Sequence, residues 1–82
     1  MKYYVYILYS RENDRFYIGQ TNNLPDRLER HNSGSEKATK PFIPWVIEWF
    51  TEKESRSEAM RLEKKLKNLS KKRIREFILK YS

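Results

Sequence analysis

The 82-residue chain carries a net charge of +7 and no cysteine, which excludes disulfides and thiolate-bound metal and suits the cytoplasm. No apolar run approaches the roughly 20 residues that cross a bilayer, and Met1-Lys2-Tyr3-Tyr4 leads into a strand-like pattern rather than a signal peptide, so a soluble, cytoplasmic single domain over residues 1–82 is expected, with no membrane partner. The surplus charge lies in residues 61–82, where nine Lys/Arg face two Asp/Glu while residues 1–60 balance at nine each; such a surface gathers polyanions or simply keeps a helix solvated, and charge alone does not separate the two.

Tyr3-Tyr4-Val5-Tyr6-Ile7-Leu8-Tyr9 is apolar on both faces, which predicts a strand covered on two sides and central in its sheet. Ser10 to Arg15 is polar, with Asn13-Asp14 as the turn, and Phe16-Tyr17-Ile18-Gly19 resumes the strand to make an antiparallel hairpin that Gly19 closes. Thr21-Asn22-Asn23 offers caps and Pro25 fits a first turn, so a short helix is predicted over residues 24–32, ended by Gly34. Ser33 to Pro44 has no period and reads as an exposed, mobile loop of the kind that closes over a ligand. Trp45 to Phe50 is a third strand whose aromatics supply much of the core volume. Ser55-Arg56-Ser57-Glu58 forms a capping box that opens a helix to about residue 68. Ser70 caps a last, basic helix with Ile74, Phe77, Ile78 and Tyr81 on one buried stripe.

Some polar residues fall where a core-facing side chain belongs. Glu63 lies inside the stripe of Ala59, Leu62, Leu66 and Leu69, so its carboxylate needs either a metal ion or a salt bridge to a nearby Lys or Arg. On the short helix His31 lies between Leu24 and Leu28 in angle, with Arg27 one turn earlier at the stripe's edge. This pair can clamp a phosphate, or it is a packed histidine bonded to backbone beside a surface arginine. Tyr6 and Tyr17 on the hairpin strands can hold or deprotonate a water with their phenols, or they simply pack as two of six tyrosines.

The order Tyr4-Val5-Tyr6, Tyr17-Ile18-Gly19, Arg27 with His31, and a helical Glu63 resembles the GIY-YIG nuclease family over residues 4 to 63. Within it the chain looks most similar to the small single-domain branch related to the N-terminal incision domain of the bacterial excision-repair nuclease. The resemblance implies an α/β fold of the α+β type, a three-stranded antiparallel sheet flanked by helices. It implies hydrolysis of phosphodiester bonds in nucleic acid, DNA ahead of RNA, in repair or turnover, leaving 5'-phosphate and 3'-hydroxyl ends. It further implies that Tyr6, Tyr17, Arg27 and His31 form the catalytic set and that Glu63 holds one magnesium or manganese ion. There are departures. The first motif reads Tyr-Val-Tyr rather than Gly-Ile-Tyr, Gln20 stands where repair enzymes often carry lysine, and Asn68 follows Glu63 sooner than the asparagine of many relatives. Gln20 is the feature that favours the alternative, a non-catalytic nucleic-acid-binding module on the same fold. No appended DNA-reading domain is evident, so specificity is expected from the basic helix, the 33–44 loop or a partner protein.

Overall fold

The run that begins at Tyr3 forms β1 (Tyr3–Ser10), flanked by β2 (Arg15–Thr21) and β3 (Val46–Lys53) in the order β2-β1-β3, with both pairings antiparallel. This is a computed structural model, and it describes residues 2–82. Val5, Ile7 and Leu8 are 0% exposed and Tyr6 is 1% exposed, so β1 is covered on both sides, as its unbroken apolar run requires. Alternate residues point to opposite faces. On one face Val5, Ile7 and Ile18 pack against Ala59 and Leu66 of α2 (Arg56–Lys67) and Ile74 of α3 (Lys71–Tyr81). On the other, Tyr6 and Leu8 pack against Leu24 of α1 (Leu24–Asn32) and against Trp45.

The caps act where the sequence places them. Asn23, Ser55 and Ser70 each accept a backbone N–H three residues on and so satisfy a free donor at the start of α1, α2 and α3. Only the first half of the expected capping box forms, since the Ser55 hydroxyl takes the Glu58 N–H at 3.2 Å while the Glu58 side chain stays exposed. Asn13-Asp14 makes the β1–β2 turn with Asp14 at φ 49°, a left-handed conformation that aspartate tolerates.

Three expectations are corrected. The third strand begins at Val46, after Trp45, and runs to Lys53; Trp45 and Trp49 contribute to the core, but Phe50 is 54% exposed because β3 is an edge strand with one neighbour. Tyr81, expected on the buried stripe of α3, is the last residue of the helix and is 56% exposed. The 33–44 segment is not a free lid. It carries a 3-10 turn over Lys40–Phe42, buries Thr39 completely, and packs Phe42 and Ile43 against the core. Asn32 at the end of α1 also ties it down, donating to the Trp45 carbonyl at 3.0 Å and accepting the Trp45 N–H at 2.7 Å. The segment is a strap.

Candidate functional site

The antiparallel register sets Tyr6 opposite Gly19, so the phenol lies across β2 at that point. A Cβ on Gly19 would stand 2.5 Å from the Tyr6 hydroxyl and 2.7 Å from Cζ, so a hydrogen is all the position holds. The strand runs on to Thr21, and Gly19 therefore serves as clearance for the phenol rather than as the strand's end.

His31 rises from α1 to meet this hydroxyl and is itself 1% exposed. Its Nε2 lies 3.1 Å from the Tyr6 hydroxyl and its Nδ1 2.9 Å from the Thr39 hydroxyl. Thr39 in turn donates to the Glu36 carbonyl at 3.4 Å. With its hydrogen used there, Thr39 is left to accept from Nδ1–H, and Nε2 accepts from the Tyr6 O–H. Burial pushes the Tyr6 phenol well above its ordinary value of 10, reinforced by the neighbouring Tyr17 and by the negative charge of Glu63, and opposed by Arg27. Burial also lowers the His31 imidazole below 6.5; Glu36 resists this, and Arg27 and Arg30 add to it. Both groups are thus neutral around pH 7, which suits the donor order.

Tyr17 is half-buried beside them, its ring centroid 4.8 Å from that of His31 and 6.2 Å from that of Trp45. Arg27, one turn before His31 on α1, sits at the edge of the same cluster, close enough for its charge to act on both Tyr6 and His31. Of the pair read as a phosphate clamp, His31 has both imidazole nitrogens hydrogen-bonded, to Tyr6 and to Thr39. Arg27 enters no ion pair among the described residues.

Glu63 arrives from the opposite layer. Gln20 follows Gly19 on β2 and points to the α2 side, where its amide donates to Glu63 Oε1 at 3.3 Å; Lys67, one turn on, pairs with Oε2 at 3.3 Å. The salt bridge expected as one fate of this carboxylate therefore exists, yet the side chain keeps 19% of its surface open. Because β2 is an outer strand of the sheet, residues from both faces can approach around its edge, and the charge of Glu63 is felt at the Tyr6 hydroxyl. Asn68 stands outside the cluster as the exposed C-cap of α2. An apolar cavity of about 230 Å³ lined by Tyr9, Phe16, Arg75 and Ile78 lies in the layer of α3 and holds none of the five residues.

Among the described residues no three His, Asp or Glu side chains gather. The donor set is thus one carboxylate. That does not suit an ion held by protein alone, but it fits a hard divalent ion of the magnesium type, which keeps several waters and binds through one or two carboxylates plus substrate phosphates. Thr39 was not singled out from the sequence, since an isolated threonine in an aperiodic segment gives no signal. Gln20 stood out only as a departure from a motif, although its amide is what joins β2 to Glu63.

The model of the GIY-YIG catalytic domain matches residues 2–76. The chain belongs to the GIY-YIG family. It is 39% identical over 71 residues to a UPF0213 protein of Staphylococcus haemolyticus, covering 85% of each chain. A UPF0213 protein of Oceanobacillus iheyensis is 38% identical over 69 residues, 83% of this chain and 79% of that one. In three dimensions the chain is similar to the solution NMR structure of a UPF0213 protein from Bacillus halodurans, with a TM-score of 0.65 and 30% identity over 99% of this chain and 86% of that one. The GIY-YIG match spans β1 through the first half of α3 and so includes all five residues of the cluster.

Proposed function

We propose that this GIY-YIG domain is a metal-dependent nuclease that hydrolyses phosphodiester bonds in DNA or RNA at the edge of β2. The observation that carries the reading is the meeting there of Tyr6, Tyr17, Arg27 and His31 from one face of the sheet with Glu63 from the other. Glu63 would hold the divalent ion, magnesium or manganese, whose Lewis acidity stabilises charge on the phosphate. The partly open carboxylate supports that role, because Lys67 is a surface partner that can swing away and the Gln20 amide fixes only one oxygen.

The protein's own part is to move one proton and to balance one charge. The Tyr6 oxygen takes a proton from the attacking water while its own passes to His31 Nε2, and Nδ1–H stays bonded to Thr39 throughout. The phenol thus never has to exist as a free phenolate, which its raised pKa would forbid at pH 7. Tyr17, tilted against the imidazole at 59°, packs beside it and screens it from bulk water. Arg27 offers its guanidinium to a phosphate oxygen as negative charge grows there.

The test compares wild type with Glu63→Ala on single-stranded, duplex and branched DNA and on RNA, with and without magnesium or manganese. Metal-dependent cutting is expected in wild type and at least 100-fold less in the variant, on the order of losing a principal electrostatic group, with nucleic-acid binding retained through the basic helices. Equal cutting by both proteins would reject the role of Glu63. Binding with no cutting by wild type would instead favour a binding module on the same fold, the reading that Gln20 suggests.

A further inference from the structure

One cation of β2 plays no part in the cluster. Arg15, at the head of the strand, is exposed and forms no ion pair among the described residues. Its guanidinium carbon sits 4.2 Å from the centroid of the Phe42 ring. That ring is no loose platform, for Phe42 belongs to the strap and packs in the core group of Tyr17 and Trp45. An arginine held against an aromatic face has surrendered much of its freedom before any ligand arrives, and the N–H groups at its rim still reach outward. Nearby cations are committed elsewhere: Lys71 and Arg75 to Asp14, and Lys67 to Glu63.

Position gives this arginine a use. Residues two apart on a strand share a face and lie about 7 Å apart, so Arg15, Tyr17 and Gly19 stand in file along the outer strand, the last of them beneath the Tyr6 hydroxyl. Around the edge, a shallow depression lined by Asn13, Arg15, Phe16, Lys71 and Ile74 extends the same track beside α3. We infer that Arg15 forms a second phosphate-binding subsite, gripping a backbone phosphate further along the strand than the scissile one, so that the substrate strand runs along the outer edge of β2 from Arg15 toward Arg27. The inference rests on the nuclease reading above and narrows it to a polynucleotide that carries phosphates beyond the cut.

The test is binding of a short labelled single-stranded DNA, the matching duplex and the matching RNA, without divalent ion and over a range of salt. Arg15→Ala is expected to reduce the slope of log affinity against log salt by about one and to weaken binding by about three- to tenfold, with an unchanged circular dichroism spectrum because the side chain is exposed. Arg15→Lys should keep the slope but lose affinity, since an ammonium neither stacks nor forks. A single neutral methylphosphonate at the contacted position should weaken wild type and cost Arg15→Ala nothing further. Wild-type slope and affinity in Arg15→Ala, or methylphosphonate effects that add to it at every position, would overturn the subsite while leaving the nuclease reading intact. No binding of any polymer by wild type would overturn both.

Discussion

Gly19 has room for a hydrogen and nothing larger, and that makes it the sharpest residue-level probe of the site. In Gly19→Ala the new methyl would displace the rigid, buried Tyr6 ring and pull its hydroxyl off His31. A displacement near 1 Å at reacting groups can lower turnover by about 100-fold, so steady-state cleavage should fall by that order while DNA binding persists; full activity would mean that the Tyr6–His31 contact is dispensable. The pH profile tests the same contact from the other side. His31 must be neutral to accept the Tyr6 proton, so kcat/KM should rise with pH through an imidazole value that burial holds below 6.5, and show no decline from the Tyr6 phenol below pH 10. His31→Gln should remove that acid limb and cost about 100- to 10,000-fold in rate; an unmoved limb would take the base role from His31. That Tyr6, Tyr17, Arg27, His31 and Glu63 lie near one another could be expected from the sequence, because their order and helical angles are linear information. The place of Thr39 could not, since its bond to a buried imidazole depends on how an irregular segment folds back over α1.

At the scale of elements, two ties hold the pieces in register. The first is the strap, which fixes His31 through Thr39 and seats Trp45 through Asn32. Thr39→Val keeps the shape but leaves the buried Nδ1–H without an acceptor, which should cost about 1–3 kcal/mol in urea unfolding and also loosen the imidazole; no loss of stability would show that water replaces the hydroxyl. The segment read as a lid because its composition lacks a period, yet its few apolar side chains suffice to bury it. The second tie is Asp14, which takes the Tyr9 hydroxyl at 2.8 Å and pairs with Lys71 and Arg75, pinning α3 to the hairpin. The Tyr9 hydroxyl, with Arg75 and Lys71, holds its carboxyl down to about 2 from an ordinary 3.8. The unfolded chain therefore binds this proton first, and the stability that Asp14 contributes is present above 3.8 and lost as pH falls toward 2. Asp14→Asn should lower Tm at neutral pH and flatten the decline across that acid window; an unchanged decline would assign it to other carboxylates. The turn at Asn13-Asp14 could be read from sequence, but not a bond to residues of α3 some 60 positions away.

For the whole molecule, the decisive feature is that the central strand is buried on both faces while β2 stands at the border, where the two layers can each place side chains around one edge. The fold class and the central position of β1 followed from its unbroken apolar run. The extent and exposure of β3 did not, because an edge strand buries too little for its aromatics to report its place. Cations on α2 and α3 give the molecule a positive side that would attract a polyanion. If water is activated at Tyr6 and attacks phosphorus there, the cut strand must carry the chemistry of that attack at its ends. The most direct measurement is therefore mass-spectrometric analysis of the termini released by wild-type protein from a defined oligonucleotide in magnesium or manganese. Wild type should release 5'-phosphate and 3'-hydroxyl ends that disappear with Glu63→Ala; cyclic or 3'-phosphate ends, or the same products from the variant, would contradict attack by a water activated at Tyr6 with the metal ion held by Glu63.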